Sequence, residues 1–171
     1  MVTLQNANDA SSQLVLQPAT LLENAPADSL AGTLTTSDQD LGDSHRYTLV
    51  AATRDSDNAR FRIDGNRVLS QPPLDDEASS QYQVRIETRD QAGATLVQTF
   101  VIVLGNANDS PVLAAMLSLV VQPNRPCTTT LHATDQDLGD RLVFSTDGLP
   151  GCTSRIKVIE QRFSVGCLMA S

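Results

Sequence analysis

The sequence predicts an all-β fold: a seven-stranded Greek-key β-sandwich, used in tandem repeats. Three observations carry that expectation. Short segments alternate apolar and polar residues with period two, and none has helical periodicity. Turn-forming residues separate these segments at regular intervals. And a module recurs. Asn-Ala-Asn-Asp stands at Asn6–Asp9 and again at Asn106–Asp109, and each copy is followed by Asp-Gln-Asp-Leu-Gly-Asp, at Asp38–Asp43 and Asp135–Asp140. A fixed period defines the architectural unit before any strand is assigned.

Leu14–Gln17 is a short apolar run, and Leu30–Thr36 and Tyr47–Ala52 are the next strand candidates. Phe61–Leu69 reads as a hairpin, with Asp64-Gly65 between alternating apolar positions. Tyr82, Val84, Ile86 and Thr88 alternate with Gln83, Arg85, Glu87 and Arg89, the pattern of a half-buried strand. Thr95–Leu104 is longer and more apolar. Seven such strands in one period fit a sandwich. Residues 10–109 therefore make a complete repeat. Val2–Gln5 aligns with Ile102–Gly105, so residues 1–9 read as the end of a preceding repeat and its linker. Residues 110–171 open a further, truncated repeat, with strands at Met116–Gln122, Thr128–Thr134 and Arg141–Ser145 and a turn at Asp147–Gly151. The tail Cys152–Ser171 matches no expected strand; a divergent strand pair and a non-native end are both open.

The chain has 171 residues, of which 40% are hydrophobic and 4% aromatic, with no Trp. Its core must come from Val, Leu and Ile. Net charge is −8, from 20 acidic and 12 basic residues, and Lys157 is the only lysine. That balance excludes a nucleic-acid partner, which needs a basic footprint, and suits a surface that gathers cations. There is no signal peptide at Met1 and no apolar run long enough to span a bilayer. Export signal and anchor are expected elsewhere in a longer protein. The three Cys are an odd count and define no disulfide framework. Cys152 paired with Cys167 and free thiols remain alternatives.

Five motifs in order give the first repeat a family resemblance. Leu22-Glu23-Asn24-Ala25-Pro26 resembles the Glu-Asn-x-Pro segment of cadherin repeats, of the kind found in bacterial and other large surface proteins. Asp38-Gln39-Asp40 resembles that family's Asp-x-Asp, and Leu74-Asp75-Asp76-Glu77 its Leu-Asp-x-Glu. Thr88–Gly93 resembles its Ala-x-Asp-x-Gly, and Asn106–Pro111 its Asp-x-Asn-Asp-Asn linker ending in Pro. The resemblance implies a cadherin/Ig-like sandwich that binds Ca2+ between successive repeats.

Carried over by residue, the junction around Asp109 would use Glu23, Asp75, Glu77, Asp109, Asp135 and Asp137, with oxygens from Asn106 and Asn108. The preceding junction would use Asn6, Asn8 and Asp9 from the linker and Asp38, Asp40 and Asp90 from the repeat. The latter is half a site and is expected to bind calcium weakly. The chemistry agrees independently: Ca2+ takes six to eight oxygen ligands, and gathered carboxylates repel one another until a cation arrives. Three departures stand out. Asn106 replaces the usual Asp, Ser110 replaces the usual Asn, and Val121–Asn124 supplies no counterpart of Glu23.

The implied function is a calcium-stiffened extracellular repeat of a surface protein acting in adhesion. Its partners would be neighbouring repeats of the same chain, a homophilic copy, or a cell-surface or glycan partner. The competing reading is a spacer or carbohydrate-binding module of a secreted enzyme. Catalysis is not expected: Asp75, Asp76 and Glu77 could be cast as a glycosidase pair, but nothing else frames a cleft. Asp64-Gly65 reads as a turn, Asp55 and Asp57 as a solvated loop, and His45 and His132 as isolated and exposed.

Overall fold

A computed structural model describes residues 7–51, 57–114, 127–143, 152–159 and 162–169. The chain divides into two compact units, residues 1–107 and 108–171.

The first unit holds eight strand segments: β1 (Gln13–Pro18), β2 (Thr20–Leu22), β3 (Leu30–Ser37), β4 (Arg46–Leu49), β5 (Phe61–Asp64), β6 (Arg67–Ser70), β7 (Gln81–Arg89) and β8 (Thr95–Gly105). One turn of 3-10 helix, Asp57–Arg60, precedes β5. Two four-stranded sheets run in the orders β1-β3-β6-β5 and β2-β8-β7-β4. β1 and β2 are one strand that changes sheets. β1 pairs antiparallel with β3, and β2 pairs parallel with β8. The chain turns between them at Ala19, which has a φ of 57°. Counted so, there are seven strands, and the fold is the all-β sandwich expected.

The core fills the space between the sheets. Leu14 and Leu16 of β1, Leu34 of β3, Val68 of β6, Val84 and Ile86 of β7 and Ile102 and Leu104 of β8 are all buried. On β7 the buried residues are Tyr82, Val84, Ile86 and Thr88, and the residues between them are more exposed. The period-two pattern therefore marks a real face. With no Trp available, Phe61 and Tyr82 supply the aromatic mass, their rings edge-to-face at 6.1 Å.

Three local expectations shift. The hairpin turns at Gly65-Asn66, flanked by the pair Asp64 and Arg67. Gly65 has a φ of 60°, which suits the first central position of a two-residue hairpin loop. The strand expected at Tyr47–Ala52 closes at Leu49, and Ala52 lies outside the described residues. β2 was not anticipated, because three residues carry no readable period.

Strand direction decides which loops meet. The start of β1, the end of β3, the start of β4 and the end of β7 share one end of the unit. The end of β2, the start of β7 and the end of β8 share the other. The acidic motifs lie in these two loop clusters.

In the second unit β9 (Val112–Leu113), β10 (Cys127–Thr134), β11 (Cys152–Ile159) and β12 (Arg162–Met169) form a sheet in the order β11-β12-β10-β9. The tail is thus an antiparallel strand pair. Its register sets Cys167 opposite Cys127, and Cys152 opposite Met169. The expected strand at Met116–Gln122 lies outside the described residues. Arg141–Val143 carries no strand, and the rest of that expected segment also falls outside them.

Candidate metal centre

At the first end of unit one, the linker folds onto the acidic loop. The backbone N–H of Asp9 donates to Asp40 Oδ2 at 2.7 Å, and the N–H of Asp40 donates to Asp38 Oδ1 at 3.0 Å. The Asn8 amide reaches Asp90 Oδ2 at 3.0 Å and the Asp9 carbonyl at 3.1 Å. Asp90, at the end of β7, is buried and accepts the N–H groups of Gly93 and Ala94 through Oδ1. Hydrogen bonds from Asn8 and from those two amides hold its pKa below the ordinary value, against the cost of desolvation. Asp38 is lowered chiefly by the Asp40 amide, with help from His45 and Ser11.

His45 was expected to be isolated and exposed; it is neither. Its side chain is 12% exposed, and Nε2 lies 3.2 Å from Asp38 Oδ2 and 3.1 Å from Ser11 Oγ. Ser11 itself donates to Asp38 Oδ2 at 3.0 Å. The seven-residue separation of His45 from Asp38 carries no periodic signal, because the residues between them form a loop between β3 and β4. The acidic loop and the start of β4 bring the two together.

At the opposite end, Glu23 follows β2 and is 2% exposed. Its Oε2 accepts the N–H of Asp76 at 2.7 Å and its Oε1 that of Ala107 at 2.6 Å. One carboxylate therefore ties the Leu-Asp-Asp-Glu loop to the residues after β8. Asn106 donates to Glu77 Oε1 at 3.2 Å. Asp75 Oδ1 accepts the N–H of Ala78, and Asp76 Oδ1 is buried with no hydrogen-bond partner among the described residues. A backbone hydrogen bond lowers the pKa of Glu77, but desolvation, the charge of Glu23 and contacts with Asp75 and Glu23 outweigh it and raise the value. Three carboxylates, Glu23, Asp75 and Glu77, thus crowd one end of the sandwich.

The second unit repeats the first arrangement. The N–H of Asp109 donates to Asp137 Oδ2 at 2.6 Å, that of Asp137 to Asp135 Oδ1 at 3.1 Å, and the Asn108 amide to the Asp109 carbonyl at 2.6 Å. Each hexapeptide closes with the same backbone bond at 3.3 Å, Asp43 to Asp40 and Asp140 to Asp137. Each also turns on a glycine of positive φ, 87° at Gly42 and 100° at Gly139. Carboxylate oxygens of Asp135, Asp137 and Asp140 lie within 4.8 Å of one another.

The donor sets suit a hard divalent cation. They are all oxygen, mostly anionic, and mutually close enough to repel; His45 stands beside Asp38 and is not one of them. Of the expected ligands, Asn8, Asp9, Asp38, Asp40 and Asp90 cluster at one end of unit one. Glu23, Asp75, Glu77 and Asn106 cluster at the other. Asn108, Asp109, Asp135 and Asp137 cluster in unit two. Asn6 lies outside the described residues. Ser11, Asp43 and His45 belong beside Asp38 but were not foreseen.

Residues 17–104, just over half of the chain, match the cadherin domain family. The chain belongs to the cadherin family. That family consists of extracellular, calcium-dependent adhesion-type repeats, which are typically non-enzymatic. Among solved structures, human protocadherin-24 EC1-2 is similar at 17% identity and a TM-score of 0.66, over 95% of this chain and 79% of that one. The extracellular domain of protocadherin gamma B4 is similar at 17% identity and a TM-score of 0.56, over 98% and 28%. Protocadherin gamma B7 extracellular cadherin domains 1–4 follow at 18% and 0.54, over 94% and 42%. At such identities the likeness is one of fold. The chain spans less than half the length of the two protocadherin gamma structures. Among curated proteins, none matches the chain in sequence. Among the described residues no helix is long and apolar enough to cross a membrane.

Proposed function

We propose that the chain binds Ca2+ at its repeat junctions and thereby stiffens an extracellular surface protein that works in adhesion. The observation that carries this reading is the duplicated hydrogen-bond pattern. Linker amide to the second Asp of Asp-x-Asp, and that residue's amide to the first Asp, recur with the same atoms in both units. A pattern kept at this level serves to hold carboxylates in fixed positions, and fixed carboxylates are what a calcium site needs.

The junction around Asp109 takes its ligands from Glu23, Asp75, Glu77 and Asn106 of one repeat and from Asn108, Asp109, Asp135 and Asp137 beyond it. The preceding junction supplies Asn8, Asp9, Asp38, Asp40 and Asp90, with Asn6 from the same linker. Calcium would supply positive charge and no chemistry. The protein's role is to present oxygens in fixed directions and let the cation cancel their repulsion. Both sides of the linker then become one rigid body. Neighbouring repeats are the first partners of such a rod, and a second copy or a cell-surface glycan is the partner in adhesion.

The test is thermal unfolding of the full chain. Ca2+ should raise Tm and EDTA should reverse the rise. Asp109→Ala with Asp137→Ala should abolish most of it while leaving the first repeat folded. A Tm indifferent to Ca2+ would overturn the reading.

A further inference from the structure

The two acidic hexapeptides are identical, but their surroundings are not. Two residues past the first stands His45; two residues past the second stands Leu142. In unit two the clustered ligand atoms, from Asp135, Asp137 and Asp140, are all oxygen. In unit one the corresponding cluster is Asp38, Asp43 and His45, with one ligand atom from each within 4.8 Å of the others. An imidazole nitrogen has entered an otherwise all-oxygen loop.

We infer that Asp38, Asp43 and His45 form a site for a divalent transition cation of the zinc class, distinct in preference from the calcium sites. Imidazole nitrogen suits zinc and its neighbours, whereas Ca2+ takes oxygen. Two ligands on one tetrahedral zinc, each at about 2.0–2.2 Å, stand about 3.3–3.5 Å apart. His45 Nε2 and Asp38 Oδ2 are already 3.2 Å apart. Both side chains are largely withdrawn from solvent, at 12% and 5% exposure. Asp43 uses Oδ1 for the amides of Ser44 and Gln91, while its Oδ2 is buried with no partner among the described residues. A buried, unpaired carboxylate oxygen is costly, and a cation beside it removes the cost. Ser11 donates to Asp38 Oδ2 and so orients a ligand from behind, as supporting groups do at zinc sites. Three protein ligands leave a fourth position for water.

The inference does not rest on the calcium reading, although Asp38 belongs to both sets and the two ions would compete for it. The test uses the full chain with its three thiols alkylated, so that cysteine does not contribute. Zn2+ should bind by calorimetry and raise Tm in Ca2+-free buffer. His45→Gln, which keeps an amide for the bonds to Ser11 and Asp38, should weaken Zn2+ at least about tenfold and leave the Ca2+ response in place. The chain has two histidines, so proton NMR reads the site without that variant. Zn2+ should shift one imidazole, and the same shift should persist in His132→Gln. No Zn2+ binding, equal Zn2+ affinity in His45→Gln, or a shift that vanishes in His132→Gln would each overturn the assignment. A failure of the Ca2+ response alone would overturn the calcium reading and leave this one standing.

Discussion

The backbone N–H of Asp109 donates to Oδ2 of Asp137 at 2.6 Å. This bond fastens the linker to the acidic loop through one carboxylate oxygen and does not involve the other. Asp137 therefore has two roles that substitution can separate. Asp137→Asn keeps an acceptor oxygen but loses the charge; Asp137→Ala loses both. The asparagine variant should lose most of the Ca2+-induced rise in Tm while its EDTA Tm stays close to that of the unsubstituted chain. The alanine variant should lose the rise and also melt earlier in EDTA. Equal behaviour of the two in EDTA would mean that the linker bond contributes nothing measurable. At Ca2+ about a hundredfold above Kd, each ion lost removes about 2.7 kcal/mol of stabilisation.

Glu23 makes the opposite case, a ligand candidate that is structural even without metal. Both its oxygens accept backbone N–H groups, from Asp76 and Ala107. A glutamine can accept only one of them and turns its own N–H toward the other. In a site 2% exposed, Glu23→Gln should cost about 1–3 kcal/mol. Urea unfolding in EDTA measures this directly, and an unchanged midpoint would refute it.

Glu77 should act in the other direction. Its pKa is raised above the ordinary 4.5, so the folded chain holds this proton more tightly than the unfolded one. Cation-free stability should therefore fall as pH rises from 4.5 through the raised value, because the unfolded state ionises first. Glu77→Gln abolishes that decline, and its amide oxygen can still accept from Asn106. In EDTA at neutral pH this variant should be as stable as the unsubstituted chain or more so, and with Ca2+ it should be less stable. A variant that is weaker under both conditions would show that the desolvation of Glu77 and the charge of Glu23 beside it are not the governing effects.

Asp38 and Asp90 should contribute to the acid limb of the first repeat's stability. Both are lowered below the ordinary 3.8. Their contribution is fully present above that value and is lost as pH falls through the folded values. An acid titration followed by circular dichroism should show the first repeat weakening below pH 3.8, and Asp90→Asn should flatten that limb. An acid limb unchanged in Asp90→Asn would remove Asp90 from it.

The sandwich was legible because its evidence is local. Tyr82, Val84, Ile86 and Thr88 declare a buried face within one strand, and the Asp-Gln-Asp motif declares its role twice. β2 was not legible, since Thr20–Leu22 becomes a strand only by pairing with Val103–Gly105, far off in sequence. The hairpin turn moved by one residue because the register of Asp64 against Arg67, and not the Asp-Gly pair itself, sets the loop. Calcium candidates were readable as motifs because their spacing is short and ordered. His45 was invisible for the converse reason: its partners Ser11 and Asp38 reach it only through the packing of the linker, the acidic loop and β4.

The change of sheets at Ala19 has a mechanical side. Because β2 runs parallel to β8, tension on the two ends of the first repeat draws these strands past each other along their length. The hydrogen bonds between them are then loaded together, in shear, and do not open in succession like a zipper. Stretching a single molecule with Leu21→Pro, which removes one N–H from that strand, should lower the force at which this repeat gives way.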